Sequence, residues 1–448
     1  MTLRRQPERF GTSGRILAGR TGKAFFVAMT LLPVCASHAS AGQVQITDLG
    51  IFGGTTGILT EDTSSIATGI SANGIVAGSA WGNGHVEGFV YSGGAIHNVG
   101  ALGVINNTGA LGRLHPTGVY TYGRSVNSFG YVTGSASQND QFRAYESVGG
   151  TITPVAVLPT GTDIGSGGTA INERGSVAGW TGTAVNHDPV QEGYDPTAFL
   201  YYAGTLVHIT AAPAQYTFAN GLNNNDLVVG DYGYSPDDSH GFAFNPYSGM
   251  MTDLGTLGGL TSIATAVNDA GQIVGYSADS AGVTHAFVDS GNQMVAIGGS
   301  GTSEAYGISQ DGHVVGAQDS GAFVYYGGIM TDLNALLPSG SGWQLSAAYG
   351  VNDAGQIVGE GLVGGNFHAF LLDNVFLPGQ PASQSSSGSG YSIGNTFSGA
   401  HFGGFPSGDP VGSGAPVDAG TAPEPGTWLL LLGGSAAVAV WTRLRAMR

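Results

Sequence analysis

Ala266-Val267-Asn268-Asp269-Ala270-Gly271-Gln272-Ile273-Val274-Gly275 is the stretch that decides the fold, because nearly the same words return from Gly350 to Gly359. Aligned on Asn268, the phrase occurs seven times, at Ser71, Asn127, Asn172, Asn223, Asn268, Ser309 and Asn352, with a mean period of about 47 residues. Each of these positions is followed seven residues later by glycine: Gly78, Gly134, Gly179, Gly230, Gly275, Gly316 and Gly359. The third residue after each is also glycine except at Asp226, a residue type that tolerates left-handed backbone. An Asn or Ser side chain bonds its own backbone at a turn and glycine supplies a positive φ, so every phrase predicts a β-hairpin.

A small-plus-aromatic pair follows each hairpin: Gly88-Phe89, Ala144-Tyr145, Ala198-Phe199, Gly241-Phe242, Ala286-Phe287, Ala322-Phe323 and Ala369-Phe370. This reads as a third strand. A fourth follows a glycine turn, most clearly in Met251-Thr252-Asp253-Leu254-Gly255 and Met330-Thr331-Asp332-Leu333. Four short antiparallel strands per unit, seven times over, predict an all-β chain folded as a seven-bladed β-propeller. The seventh unit ends at Phe370-Leu371-Leu372 without a fourth strand, while Ile46-Thr47-Asp48-Leu49-Gly50 stands before the first unit as an orphan one. Joining them closes the ring and hides both sheet edges. An open β-solenoid is the structural alternative, and the uneven spacing of the units counts against it.

Composition agrees with a strand-and-turn protein. The 448 residues include 79 glycines, with 42% hydrophobic and 10% charged residues and a formal net charge of −17. Glycine has no Gly-X-Y period, and apolar residues are too plentiful for collagen or a wholly disordered chain. Of the 13 basic residues, Arg4, Arg5, Arg9, Arg15, Arg20 and Lys23 lie at the start and Arg443, Arg445 and Arg448 at the end. Only Arg113, Arg124, Arg143 and Arg174 remain between them, so the middle is strongly acidic and nucleic acid is not an expected partner.

The basic start, the apolar run from Ala24 to Ala36 and Ala39-Ser40-Ala41 read as a secretory signal over residues 1–41. The single cysteine, Cys35, falls inside it, which leaves the mature chain without disulfide or thiolate chemistry. The repeat region occupies 42–373. Residues 374–421 form a Gly/Ser/Pro-rich linker that includes Ser385-Ser386-Ser387-Gly388-Ser389-Gly390. Within 422–448, Pro423-Glu424-Pro425 precedes an uncharged stretch, and an apolar helix over 426–442 followed by Arg443 and Arg445 predicts a short membrane anchor.

With His285-Ala286-Phe287 and His368-Ala369-Phe370 in its third strands, the repeat from Val44 to Asp373 resembles the HAF repeats of bacterial exported proteins. Only His240, His285 and His368 keep the histidine; Glu87, Arg143, Thr197 and Gly321 replace it elsewhere. Independently, Pro423, Glu424 and Pro425, the hydrophobic helix and the Arg443-Leu444-Arg445 cluster resemble the PEP-CTERM sorting signal. That resemblance implies a Gram-negative host, an exosortase-type transpeptidase as processing partner and transient anchoring in the inner membrane. The destination it implies is the cell surface or extracellular matrix, with a link to exopolysaccharide and biofilm.

Catalytic signatures are absent from the ring. A phosphate loop needs its lysine, and Lys23 is the only one in the chain, so Gly165-Ser166-Gly167-Gly168 is expected to be a turn. The ring has no His-Glu-x-x-His and no Gly-x-Ser-x-Gly. The third-strand histidines are expected to be structural, and Asp48, Asp253 and Asp332 to act as turn acceptors or solvated charges. Asp231, Asp237 and Asp238 are the calcium candidates, because hard cations favour clustered oxygen ligands; no other cofactor is expected. Tyr201-Tyr202 and Tyr325-Tyr326 are candidates for stacking on sugars. The leading expectation is a non-enzymatic structural or adhesive protein that contacts exopolysaccharide or a matrix protein. A polysaccharide-cleaving hydrolase or lyase and a calcium-binding surface protein are the alternatives. Carboxylates converging at the central channel would mark the enzyme.

Overall fold

The computed structural model describes residues 44–50, 62–82, 85–102, 120–138, 141–155, 164–183, 196–211, 213–235 and 238–375. The expected signal, linker and tail helix, and Asp237, lie outside the described residues. Among the described residues no helix is long and apolar enough to cross a membrane.

Seven four-stranded antiparallel sheets form the blades of a β-propeller. Blades 1 to 6 occupy 62–98, 121–154, 164–209, 216–253, 258–296 and 303–332, each one repeat with its strands paired in chain order. Blade 7 takes three strands from 344–373 and its fourth from Gln45–Gly50, with Asp48 opposite Phe370. The orphan strand therefore closes the ring as the sequence predicts. The antiparallel order puts the first-to-second and third-to-fourth turns on one face. The second-to-third loops and the blade-to-blade connections lie on the other.

The repeated residues now have physical causes. The aromatic of each third strand (Phe89, Tyr145, Phe199, Phe242, Phe287, Phe323 and Phe370) is at most 1% exposed, and burying each stabilises the blade by roughly 1.5–3 kcal/mol. The small residue before it is the seam between blades. Its N–H donates to a hydroxyl of the next blade's first strand, as in Ala144 to Ser166 Oγ (2.9 Å), Ala198 to Thr217 Oγ1 (2.8 Å) and Ala286 to Ser303 Oγ (3.0 Å). A larger side chain at this position would hold the strands apart.

The two glycines of the phrase do different work. The third residue after the Asn or Ser has positive φ, from 59° at Asp226 to 86° at Gly312, and makes the hairpin turn. The seventh is a point of close approach. A Cβ on Gly275 would lie 1.9 Å from the Ile263 carbonyl, and one on Gly359 2.0 Å from the Ala347 carbonyl and 2.9 Å from the Phe370 ring. Gly165-Ser166-Gly167-Gly168 is likewise a matter of space. It belongs to the strand Ile164–Ile171 and is not the expected turn, because a Cβ on Gly168 would meet Thr133 Oγ1 at 2.1 Å.

The aligned asparagines bind the blades into a ring. Each uses Oδ1 to accept N–H groups of its own turn, as Asn127 does from Phe129 and Tyr131. Each also reaches forward with Nδ2, Asn127 to the Asn172 carbonyl, Asn172 to Asn223, Asn223 to Asn268 and Asn268 to Ser309, at 2.9–3.2 Å. Asn352 then donates to the Ser71 carbonyl at 3.1 Å and joins the last blade to the first. Serine has no amide to donate, and at Ser71 the neighbouring Asn73 donates to the Ser128 carbonyl instead.

Candidate functional site in the central channel

In the first strand of every blade one residue bulges out of register, three positions before the aligned Asn or Ser. These residues are Thr68, Arg124, Thr169, Asn220, Thr265, Tyr306 and Tyr349. First strands of adjacent blades contact one another around the ring, so they are the innermost strands. All seven bulge residues are partly open to solvent although the residue before each is buried, and they therefore line a central channel. Bulges commonly re-aim a side chain in this way.

Four bulge residues staple the ring. Thr68, Thr169, Asn220 and Thr265 donate to carbonyls of the next blade, those of Gly123, Ala219, Ala264 and Ala305, at 2.8–3.1 Å. Arg124, Tyr306 and Tyr349 break the pattern and put large side chains into the channel. Burial pulls the Arg124 guanidinium down to about 10 while Tyr122, Tyr145 and Tyr349 push the other way, so it stays cationic at neutral pH. Tyr306 and Tyr349 stack with ring centroids 5.2 Å apart. Tyr306 donates its hydroxyl to Glu304, and Tyr349 donates to Glu360 Oε1 at 3.0 Å.

A third carboxyl stands on the wall of blade 4. Asp231 is buried and accepts from Asn220 Nδ2 at 2.9 Å; burial pushes its carboxyl up to about 7, against that one neutral donor. Beside it on blade 5, the Tyr276 hydroxyl is buried with no hydrogen-bond partner. Burial raises its pKa well above the ordinary value, followed by the influence of Glu304, Tyr306, Asp231 and Tyr216. On blades 6 and 7, Glu304, Tyr306, Tyr349 and Glu360 are thus partly open, Asp231 and Tyr276 on blades 4 and 5 are buried, and Arg124 stands on blade 2. Aligning the repeats and scanning the bulge column would have found this site, because Arg and Tyr stand there among Thr and Asn.

The residues singled out from sequence fall elsewhere, apart from Asp231. The third-strand histidines and fourth-strand aspartates, read as separate series, are partners within a blade: His240 Nδ1 meets Asp253 at 3.0 Å, and His368 Nδ1 meets Asp48 at 2.9 Å across the ring closure. In blade 5 Ala296 occupies the aspartate position opposite Phe287, and His285 turns to Asp279 at 3.1 Å. Asp48 and Asp253 also accept the N–H of Gly50 and Gly255, so they are turn acceptors. Of the calcium candidates, Asp231 and Asp238 are not brought together. Asp231 faces Asn220 inside the ring, whereas Asp238 lies exposed at the far end of its hairpin opposite Ser235. Among the described residues no three His, Cys, Asp or Glu side chains are grouped to hold a metal. Tyr201, Tyr202, Tyr325 and Tyr326 are half-buried against the blade cores, with Tyr326 stacked on His313 at 4.0 Å.

No family model matches the chain, and no curated protein matches it. Solved structures similar to it include a puromycin hydrolase, at 12% identity over 69% of this chain and 51% of that one, with a TM-score of 0.46. A puromycin-hydrolyzing peptidase of Mycobacterium tuberculosis gives 13% identity, 67% and 49% coverage and a TM-score of 0.46. The extracellular domain of a one-component system from B. thetaiotaomicron gives 11%, 72% and 39%, with a TM-score of 0.41. The chain spans about half the length of these structures or less, and the likeness concerns the fold alone.

The expectation of a non-enzymatic protein is corrected at this point, because propellers resembling this one occur in peptidases. Glu304 and Glu360 escaped sequence reading because they come from different repeats. A Gly-x-Ser-x-Gly spacing does occur at Gly390-Tyr391-Ser392-Ile393-Gly394, in the linker and outside the described residues.

Proposed function

We propose that this chain is an exported protein, sorted to the cell surface or extracellular matrix by an exosortase-type partner, whose propeller binds extracellular polysaccharide through its central channel. The observation that carries this reading is the channel wall. Stacked Tyr306 and Tyr349 offer ring faces and polar tips, and Glu304, Glu360, Asn220 and Asp231 offer acceptors and donors suited to sugar hydroxyls. Export, sorting and the matrix role rest on the resemblance of the two chain ends to a secretory signal and a PEP-CTERM signal.

A second reading, cleavage of that polysaccharide, is favoured by one observation. Burial pushes Asp231 up to about 7 while Glu304 and Glu360 each accept a tyrosine hydroxyl, and glycosidic cleavage uses a carboxyl with raised pKa together with a second carboxyl group. One experiment separates the readings. The full chain in detergent is incubated with the host's exopolysaccharide, and the polymer's size distribution is followed by chromatography. Co-elution with unchanged polymer supports binding, and a fall in chain length that is lost in Glu304→Gln or Glu360→Gln supports cleavage. Neither co-elution nor shortening overturns the polysaccharide assignment.

A further inference from the structure

Four residues after the aligned Asn or Ser, the repeats carry Ile75, Tyr131, Ser176, Leu227, Gln272, His313 and Gln356. Blades 5 and 7 pair the two positions: Gln272 and Gln356 accept with Oε1 from the amides of Asn268 and Asn352 at 2.9 Å. Blade 6 departs at both, with Ser309 in place of the asparagine and His313 in place of the glutamine. His313 is 1% exposed. Its ring stacks on Tyr326 with centroids 4.0 Å apart, and its Nδ1 lies 3.3 Å from Ser309 Oγ. Its Nε2 is buried and has no hydrogen-bond partner.

A neutral imidazole has one donor and one acceptor nitrogen, and this slot serves only one of the two. A further proton makes both nitrogens donors and adds a charge where nothing accepts the Nε2 hydrogen, a state far more costly to bury than the neutral ring. The titratable groups around the ring are Tyr326 on the third strand, Asp311 on its own turn and Asp353 on the hairpin of blade 7. Burial lowers the His313 pKa from the ordinary 6.5, and the two aspartates act to raise it. Stability from this group is therefore complete above the ordinary value and is lost as pH falls below it, because the unfolded turn takes up its proton first. Both aspartates belong to the joint between blades 6 and 7, where the Asp311 N–H donates to Asp353 Oδ1 at 3.0 Å. Ser309 has no amide to reach forward, and this exposed bond links the two hairpins in its place.

We propose that His313 is an acid-sensitive latch: on protonation its ring leaves the slot between Ser309 and Tyr326 for the solvent beside Asp311 and Asp353, and the hairpin joint between blades 6 and 7 loosens. Asp231 responds to pH in the opposite sense, so the signature of the latch is local to blade 6.

The test is hydrogen exchange of the full chain in detergent at pH 7 and pH 5, read by mass spectrometry over residues 303–318 and corrected for the intrinsic rate. In the native chain the corrected exchange is expected to be at least fivefold faster at pH 5. His313→Gln, which installs the residue that blades 5 and 7 carry, should exchange equally at both, while His208→Gln, an exposed histidine of blade 3, should keep the native response. Equal corrected rates in the native chain would overturn the inference, and so would a response that persists in His313→Gln. Where that variant does not fold, nuclear magnetic resonance of the native chain carrying 13Cε1-labelled histidine decides. The Tyr326 ring should shift the His313 signal upfield at pH 7, and the shift should vanish by pH 5. Absence of an upfield signal at pH 7, or one unchanged at pH 5, would overturn the latch.

Discussion

Asp231 shows how one residue carries both a stability and a site argument. Its folded pKa of about 7 lies above the ordinary 3.8, so between these values the folded state holds a proton that the unfolded state has lost. Stability from this group is complete below about pH 4 and declines as pH rises toward 7, on the order of 1.4 kcal/mol for each pH step of one within that window. Buried Asp289 and part-buried Glu146 are raised by burial and act in the same sense, so the readout is the difference between proteins. Urea denaturation from pH 4 to 7 should show stability falling more steeply in the native chain than in Asp231→Asn; parallel curves would mean that Asp231 is not buried as described. The two glycines of each repeat differ at this scale as well. Gly271→Ala strains a turn at φ 79° and should cost about 1 kcal/mol. Gly275→Ala drives a Cβ into the Ile263 carbonyl and should cost roughly 1–3 kcal/mol or prevent folding. A thermal melt of each variant checks the order.

At the scale of the element, the hairpin phrase is both a turn and a joint. Asn268 accepts from Gln272 N–H at 3.0 Å within its own turn and donates to the Ser309 carbonyl of the next blade at 3.2 Å. Serine at Ser71 and Ser309 keeps the first role, Ser71 Oγ accepting from Ile75 N–H at 2.9 Å, and gives up the second. Asn268→Ser should therefore cost about 1 kcal/mol and Asn268→Ala about twice that. Chemical denaturation of the two variants tests the division, and equal losses would show that the inter-blade bond is worth nothing. The hairpin itself is visible in sequence because its determinants lie within eight residues of one another. The seam between blades is not, because Ala144 meets Ser166 only after two blades have been docked.

The whole molecule depends on closure. Gln45–Gly50 pairs with Asn366–Asp373, and His368 meets Asp48 there across nearly the full length of the ring. Removing 45–50 would leave the third strand of blade 7 as an exposed edge, which is a template for intermolecular pairing. The shortened protein should be oligomeric or aggregated by light scattering while retaining strand signal in circular dichroism. A monomer of unchanged melting temperature would mean that the ring holds without its latch. The channel belongs to the same scale, since it exists only when seven inner strands face a common axis.

The repeat phrase, the small-aromatic pairs and the orphan strand at Ile46 determined the blade, the number of blades and the closing partner without help, because each is a local pattern written several times. What tertiary structure alone decided is which of those patterns meet. It paired the histidine and aspartate series within blades, separated Asp238 from Asp231, and turned the Gly165–Gly168 run from a turn into an inner strand. It also gathered Asp231, Tyr276, Glu304 and Glu360 around one axis from four different repeats. The reason is physical: neighbourhood around the ring is set by rotation about its axis rather than by distance along the chain, and the bulges of the inner strands add Arg124, Tyr306 and Tyr349 to the same channel.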